Sequence, residues 1–251
     1  MAKDYFSQQS LSYLKYRPTY PRELFLFLST YLKPGQLVWD CATGNGQAAT
    51  CFDEDFSVIA TDQSMEQIEN RPLKSRVLFS QALAERAPIK DKSVSLITIA
   101  QALHWFDFSE FYREVSRVLK PGGVIAAWTY SFLSASPQLG NRIDDCMRRF
   151  YYDVIGPYWP KERHWVDEFY ATIPFPFHQV DSPSFYIDLS WDLEDLIGYI
   201  SSWSAVSEYK KVTDDDPIAQ LREELQIVWG QESVRRDMRW KLGLRVGRQS
   251  E

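Results

Sequence analysis

Two carboxylates and two glycines form the most chemically suggestive group in this sequence. An apolar run at 37–39 ends at Asp40 and is followed by Gly44 and Gly46, and a second run ends at Asp62. Closely spaced glycines remove Cβ atoms where a ligand must approach the backbone, and the start of a following helix supplies free N–H groups. The spacing therefore predicts a nucleotide site on a strand–turn–helix unit.

The glycines alone do not choose the nucleotide. Gly44-x-Gly46-x-x-Ala49 followed by Asp62 also matches the dinucleotide fingerprint of NAD enzymes. Asp40 argues against that reading, because strands that bind NAD usually carry an apolar or small residue at this position, beside a negative pyrophosphate. A carboxylate there suits a ligand with a positively charged amino acid end. An NAD(P)-dependent oxidoreductase is therefore the weaker alternative.

Alternating strands and helices position these residues. Strands are predicted at 37–41, 57–61, 76–80, 94–100 and 124–129, with helices at 22–32, 47–52, 64–70 and 108–119. Residues 94–100 are almost continuously apolar, which is typical of a central parallel strand covered on both faces. The alternation predicts a doubly wound α/β sheet whose ligands bind at the carboxyl ends of the strands.

Four regions are predicted along the chain. Residues 1–36 form N-terminal helices and a flap, 37–130 the cofactor-binding α/β core, 131–181 an aromatic-rich cap, and 182–251 the remainder of the core. Cap helices are expected near 139–152 and 165–172; the last region should contain strands at 185–189 and 239–246 and helices at 192–201 and 217–229. The core is thus interrupted by a helical cap after strand five.

Composition narrows the class of protein. The formal net charge of −6 gives no broad basic field, so neither a nucleic acid nor an anionic membrane is expected as a partner. The three cysteines show no CxxC or Cys/His ligand spacing, which favours a reducing compartment and no metal. No segment resembles a signal peptide or a membrane span, and we expect a cytoplasmic protein. Aromatic residues at 15% suit a closed pocket for a small molecule.

A set of motifs in fixed order resembles the class I S-adenosylmethionine-dependent methyltransferases. The motifs are Asp-x-Ala-x-Gly-x-Gly at 40–46, the acid Asp62, Ala84-Glu85-x-x-Pro88, the segment 102–106 (Ala-Leu-His-Trp-Phe) and the segment 119–123 (Leu-Lys-Pro-Gly-Gly). Segments 12–21, 202–204 and 243–248 are similar to the branch that contains trans-aconitate methyltransferase-like enzymes. The resemblance implies a seven-stranded, mostly parallel sheet with an antiparallel last strand, and S-adenosylmethionine as the cofactor.

The resemblance also implies a set of cofactor-binding residues. They are Asp40, Ala42, Gly44, Gly46, Asp62, Gln63, Ala84, Glu85 and Gln101. Asp40 and the backbone of 42–46 would hold the methionine end, and Asp62 would accept both ribose hydroxyls. Gln63 would lie along the adenine, Ala84 and Glu85 would border it, and Gln101 would lie beside the sulfonium.

Two positions depart from the family pattern. Ala42 stands where the family most often has its first glycine, and alanine is tolerated there if its φ angle is negative. Leu83 stands where many relatives carry an aspartate that binds the adenine amino group. That contact is therefore lost or taken over by Glu85.

Candidates for catalysis and acceptor binding each have a structural alternative. His104 and Gln101 are the catalytic candidates. His104 either acts as a base or forms a hydrogen bond with the acceptor, or it has a structural role and shapes its loop. The acceptor candidates are Tyr13, Arg17, Trp105, Tyr158, Trp159 and Trp203, and each could instead serve packing. Arg17 is the better anion ligand, because a guanidinium can grip a carboxylate through two hydrogen bonds.

The predicted activity is methylation of a small molecule, with an oxygen of a small carboxylic acid as the expected acceptor. Methyl transfer is an in-line displacement, so the protein mainly positions the reactants and excludes water. A carboxylate is already nucleophilic, whereas an amine or phenol needs a base. A non-catalytic protein that binds S-adenosylmethionine would carry the same cofactor residues and stays an alternative.

Overall fold

The computed structural model describes residues 16–72, 75–135 and 142–249. The chain divides into two compact units. Of the described residues, the sheet unit contains 19–72, 75–131, 164–185 and 242–249, and the helical unit contains 16–18, 132–135, 142–163 and 186–241. Tyr13 lies outside the described residues, so its predicted role stays a prediction.

Parallel strands form the centre of the sheet unit. They are β1 Leu37–Cys41, β2 Ser57–Asp62, β3 Leu78–Gln81, β4 Val94–Ala100 and β5 Leu119–Tyr130. They pair in the order β3-β2-β1-β4-β5, so β1 lies between β2 and β4. The predicted doubly wound core is confirmed. Because β1 and β4 are central, their side chains are almost entirely buried.

The last strand runs antiparallel to β5, as the resemblance implied. This strand, β9 Arg236–Arg248, pairs along 242–248 with residues 124–130 of β5. Three further strands pair with β9: β6 Ser134–Ala135, β7 His178–Val180 and β8 Phe185–Trp191. The described sheet therefore has nine strands rather than seven. The count was too low because β6 and β7 span only two and three residues, too few to show a periodic pattern.

Helices lie before and between the strands of the sheet unit. They are α1 Arg22–Ser29, α2 Met65–Glu69, α3 Phe108–Val118 and α5 Arg163–Asp167, the last beginning in the helical unit. The Ser64 hydroxyl accepts a hydrogen bond from the Gln67 N–H and caps α2, as predicted. The helix predicted at 47–52 is instead a 3₁₀ turn, Ala49–Cys51.

Helices dominate the helical unit. They are α4 Arg142–Arg149, which continues into a π-helical turn Phe150–Val154, α6 Leu193–Ser201, α7 Ser204–Thr213 and α8 Pro217–Trp229. Helix α7 was not predicted. The first cap helix, predicted at 139–152, is described from Arg142, and its π-helical turn continues to Val154. The second, predicted at 165–172, is the shorter helix Arg163–Asp167. The Asp216 side chain accepts a hydrogen bond from the Ile218 N–H and so caps the start of α8.

Apolar strand residues build the core of the sheet unit. Trp39, Ile97 and Ile125 are fully buried, and Phe111 and Val115 of α3 pack in the same cluster. No helix in the described parts of the chain has both the length and the apolarity needed to cross a bilayer. The core holds the carboxyl ends of β1, β2 and β4 in register, which is what the candidate site requires.

Candidate cofactor-binding site

Asp40 lies under the glycine turn rather than on its surface. Its side chain is 1% exposed, and its two carboxylate oxygens accept hydrogen bonds from the hydroxyls of Thr98, at 2.6 Å, and Thr43. Thr98 is the register partner of Asp40 on β4. Burial raises the pKa of Asp40 to about 6, although hydrogen bonds from both threonines and from the Ala49 backbone oppose the shift. Asp40 therefore stabilises the turn through its hydrogen bonds with Thr43 and Thr98.

The turn after β1 alternates into the left-handed region. Ala42, Gly44 and Gly46 have φ angles of 53°, 58° and 86°. The expectation of a negative φ at Ala42 is therefore wrong, and this alanine adopts a conformation that costs about 1–2 kcal/mol. The Thr43 N–H donates to the Thr61 carbonyl at 2.9 Å, so β2 helps to impose the conformation.

The two glycines serve different purposes. A Cβ at Gly46 would lie 2.6 Å from the Phe79 ring of β3, so the packing of the chain itself excludes a side chain there. Among the residues that the structure describes, a Cβ at Gly44 would meet only the Gln67 Oε1, at 3.8 Å. The described chain thus leaves space for a ligand beside Gly44, whereas Gly46 is required for the turn to rest on β3.

Asp62 joins the glycine turn to the next helix. Its Oδ2 accepts from the Gly44 N–H and its Oδ1 from the Ser64 N–H, both at 2.8 Å. A carboxylate oxygen can accept more than one hydrogen bond, which is the chemistry that the two hydroxyls of a ribose require of a partner. The neighbouring Gln63 has an exposed side chain, and its carbonyl accepts from the Gln81 side chain at 2.9 Å.

The segment after β3 holds the residues predicted to border adenine. Ala84 is buried, and the Glu85 Oε1 accepts from the Asp107 N–H at 3.1 Å, at the start of α3. Leu83 is 54% exposed. Residues 84–91, which we call the adenine loop because adenine contacts are predicted at its start, thus connect at this end to the N-terminus of α3.

An ion pair on α3 holds the other end of the adenine loop. The Arg117 guanidinium contacts both oxygens of Glu114, at 2.6 and 2.8 Å, and donates to the carbonyls of Ala87 and Ile89 at 3.1 and 2.7 Å. Glu114 also accepts from the Ala87 N–H at 2.7 Å. Burial alone would raise the pKa of Glu114. The hydrogen bonds from Arg117 and from the Ala87 N–H, together with the charge of Arg117, lower that pKa instead. Glu114 and Arg117 were missed, because α3 read only as an amphipathic helix.

Gln101 ends β4 in a strained conformation. Its φ angle is 57°, and its N–H donates to the Trp128 carbonyl at 2.9 Å. Its side-chain amide donates to the Tyr130 carbonyl at 3.1 Å, and the Thr129 hydroxyl donates to its Oε1. The carboxamide is therefore attached to the end of β5, the neighbouring parallel strand.

His104 follows Gln101 on a 3₁₀ turn, Leu103–Trp105. The imidazole is 8% exposed, and its Nδ1 lies 2.8 Å from the hydroxyl of Tyr170. The rings of His104 and Trp105 have centroids 4.7 Å apart, so Trp105 packs beside the candidate catalytic residue. Tyr170 was missed, since nothing in its local sequence separates it from the other aromatic residues of the predicted cap.

The remaining acceptor candidates lie in the helical unit. The Arg17 guanidinium donates to the Ser202 carbonyl at 3.2 Å and lies 5.6 Å from the centre of the Tyr199 ring. Trp159 and Trp203 are 5.7 Å apart between ring centroids. The structure thus gathers Arg17, Trp159 and Trp203 in one aromatic neighbourhood. Tyr158 packs instead on Tyr209, with a centroid separation of 4.9 Å.

The residues present in the sheet unit fit a nucleoside cofactor with a charged amino acid end. Space remains beside Gly44, a carboxylate stands at the end of β2, and a second lies beneath the turn. Among the described residues no cluster of three or more metal-ligating side chains occurs. The fold and this donor set define a class of α/β proteins that bind nucleoside-type cofactors at the carboxyl edge of the sheet.

Comparisons with known proteins indicate the family of this chain. The family model described as a methyltransferase domain matches residues 39–127. A protein of Dictyostelium discoideum named as a methyltransferase is 32% identical over 225 residues, which cover 88% of this chain and 85% of that protein. A solved structure from Anaeromyxobacter dehalogenans, described as a type II methyltransferase, has a TM-score of 0.84 and 35% identity, covering 92% of this chain and 97% of that one.

A more distant structure shares the fold alone. A Bacillus subtilis protein has a TM-score of 0.54 at 20% identity, over 91% of this chain and 98% of that one.

The chain belongs to the S-adenosylmethionine-dependent methyltransferases. It is therefore an enzyme with S-adenosylmethionine as cofactor, and the oxidoreductase and non-catalytic alternatives are set aside.

Proposed function

We propose that this methyltransferase methylates an oxygen of a small carboxylic acid. The observation that carries the proposal is Arg17, whose guanidinium lies among aromatic rings of the helical unit. An arginine in such surroundings is weakly hydrated and binds a planar carboxylate through two hydrogen bonds. The resemblance to the trans-aconitate methyltransferase-like branch supports the same acceptor class.

The chain's contribution to the reaction is positioning. Bound S-adenosylmethionine supplies an electrophilic methyl group on a sulfonium. Asp62 holds the Gly44 turn and the start of α2 through 2.8 Å bonds, and a carboxylate at this strand end suits ribose hydroxyls. A carboxylate acceptor is nucleophilic without losing a proton, so no residue needs to act as a base. His104 then serves as a hydrogen-bond partner of the acceptor.

The chemistry of the cysteines suits a reducing compartment. The three cysteines are free, and burial raises the pKa of the partly exposed Cys51 thiol to about 11. Thiols with raised pKa values oxidise slowly but still require reducing surroundings to stay unpaired. We infer a cytoplasmic enzyme that acts on neither nucleic acid nor membrane lipid.

A panel of acceptors tests the proposal. Carboxylic acids, phenols and amines are incubated with the protein and S-adenosylmethionine, and release of S-adenosylhomocysteine is measured. We expect turnover with acids, and a base-labile methyl ester as the product. Activity confined to amines would contradict the proposal.

Arg17→Met tests the arginine separately. It should raise KM for the acid about 10-fold to 100-fold, the effect of losing one charge-assisted contact. Arg148→Met is the matched control, because its guanidinium also lies over an aromatic ring of the helical unit, 5.1 Å from Phe132. Equal effects of the two substitutions would remove Arg17 from the proposal.

A further inference from the structure

Two consecutive strained residues follow α5. Phe169 and Tyr170 have φ angles of 53° and 62°, in the left-handed region that side chains other than glycine rarely adopt. Such strain persists only where the surrounding structure imposes it, and it is concentrated at functional positions. Residues 169–170, which we call the kink, are therefore held in this conformation by the residues around them.

Contacts with β9 and α5 hold the kink. The Arg245 guanidinium of β9 donates to the carbonyls of Tyr170 and Ile173 at 2.8 and 2.6 Å, and its face lies 4.4 Å from the centre of the Phe175 ring. The Tyr170 N–H donates to the Trp165 carbonyl at 2.7 Å. All of these residues belong to the sheet unit, so its own packing imposes the conformation.

The kink brings the Tyr170 hydroxyl to His104. Tyr170 is fully buried, and its hydroxyl lies 2.8 Å from the His104 Nδ1. His104 comes from the turn after β4, at the edge of the sheet where ligands of this fold bind. A bond to one imidazole nitrogen determines which nitrogen of the neutral ring carries the proton. The strained tyrosine thus contacts the atom that controls the hydrogen-bonding role of His104.

We propose that Tyr170 is a positioning residue whose hydroxyl donates a hydrogen bond to the His104 Nδ1. The neutral ring then carries its proton on Nε2, which makes His104 a hydrogen-bond donor to the acceptor and prevents it from acting as a base at that nitrogen. This assignment rests on the proposed function, because a carboxylate acceptor offers only accepting oxygens and needs no base. The kink at 169–170 exists to maintain this tautomer.

The tautomer can be measured without an acceptor. Nitrogen-15 NMR distinguishes the two neutral forms of imidazole, and the chain has only three histidines. His164 and His178 are exposed and serve as internal references, and a His104→Gln variant identifies the third signal. In the unmodified protein we expect His104 to be protonated on Nε2. Protonation on Nδ1 would overturn the proposal, whatever the behaviour of any variant.

Paired substitutions separate positioning from stability. Tyr170→Phe should convert His104 to a mixture of tautomers and lower kcat for an acid acceptor about 10-fold to 100-fold, less than the loss of a full acid–base group. Its Kd for S-adenosylhomocysteine should change less than about twofold, a much smaller effect than that on kcat. Tyr112→Phe removes another buried tyrosine hydroxyl of the same core, which donates to the Pro174 carbonyl at 2.6 Å, and should leave the tautomer and kcat unchanged.

The outcomes distinguish this proposal from the proposed function. An unchanged tautomer in Tyr170→Phe, or equal losses in the two variants, would overturn the positioning role. A correct tautomer together with activity on amines alone would overturn the acid acceptor and leave the Tyr170–His104 bond as a structural result. If Tyr170→Phe does not fold, the tautomer of the unmodified protein still decides.

Discussion

At the scale of single residues, burial gives Asp40 an unusual proton affinity. Its pKa is raised to about 6, above the value for an exposed aspartate, because the folded protein removes it from water. The folded state therefore holds a proton between about pH 4 and pH 6 that the unfolded chain releases, so the contribution of Asp40 to stability is lost as pH rises through 6. A ligand with a cationic end favours the ionised form.

S-adenosylhomocysteine binding should therefore depend on pH through Asp40. We expect its Kd to be constant above pH 7 and to rise up to about 10-fold per pH unit below pH 6, because binding to the ionised form must displace the proton. Titration calorimetry from pH 5 to pH 8 measures this. Asp40→Asn should bind more weakly and show no such dependence, and an equal dependence in that variant would refute the role of Asp40.

Ala42 is a second residue whose conformation conflicts with its side chain. Ala42→Gly should raise the free energy of unfolding by about 0.5–1 kcal/mol, because glycine relieves a cost of about 1–2 kcal/mol at φ 53° but adds freedom to the unfolded chain. Urea denaturation measures the change. Ala48→Gly is the control: its φ is −78°, so glycine should destabilise the protein there. Destabilisation by both substitutions would contradict the strain at Ala42.

At the scale of elements, α3 organises the adenine loop from both of its ends. Near one end, the Asp107 N–H donates a hydrogen bond to Glu85. Near the other, the Glu114–Arg117 pair forms hydrogen bonds with the backbone of Ala87 and Ile89. The Glu114 side chain is 8% exposed and that of Arg117 is 34% exposed, so water screens this pair only in part. Its loss should disturb the loop more than an ordinary surface pair would.

Glu114→Gln should lower the free energy of unfolding by about 2–3 kcal/mol, somewhat less than the loss of one partner from a fully buried pair. It should also weaken binding of S-adenosylhomocysteine, because the adenine loop is released. Since the folded-state pKa of Glu114 is lowered, its contribution is present above the unfolded pKa and is lost as pH falls through the folded value.

The control is Glu110→Gln on the same helix. Its partner Arg113 is 71% exposed and Glu110 is 45% exposed, so that pair should contribute little. Urea denaturation and calorimetry of both variants measure the contrast. Indistinguishable stability and affinity in the two variants would contradict the function assigned to the buried pair.

Elements with strong periodic patterns were predictable, and short ones were not. The predicted ranges of β1, β4 and α8 coincide with the structure, because each combines a continuous pattern with clear boundary residues. Helix α7 was missed because its only buried residues, Ala205 and Val206, are adjacent and give no helical period. The π-helical turn after α4 has no sequence signature that distinguishes it from a helix.

The candidate site was predictable where single residues carry the signal. Asp40, Asp62 and the glycines stand at strand ends that the pattern defines. Thr98 offered a weak signal, as a polar residue in an apolar strand. The partnership of Tyr170 with His104 joins residues 66 positions apart, and only the folded backbone with its positive φ at Tyr170 creates it.

At the scale of the whole molecule, family membership defines the reaction, whereas the acceptor-binding role of the helical unit is a proposal. The D. discoideum and A. dehalogenans relatives align over most of the chain, so both units belong to the shared architecture. The sheet unit holds every predicted cofactor residue, and the helical unit holds Arg17 and three of the aromatic candidates. Cofactor binding can therefore be tested with the sheet-unit residues alone.

The central claim is that the carboxylates at the strand ends create the cofactor site. Titration calorimetry with S-adenosylhomocysteine tests it most directly, on the unmodified protein and on Asp62→Ala. We predict one site per chain and a Kd about 10-fold to 100-fold weaker in the variant, the effect of losing charge-assisted hydrogen bonds. Asp53→Ala is the matched control, since Asp53 also accepts from a backbone N–H, that of Arg76 at 3.2 Å, and should bind normally. No binding to the unmodified protein, or equal binding by Asp62→Ala, would contradict the claim.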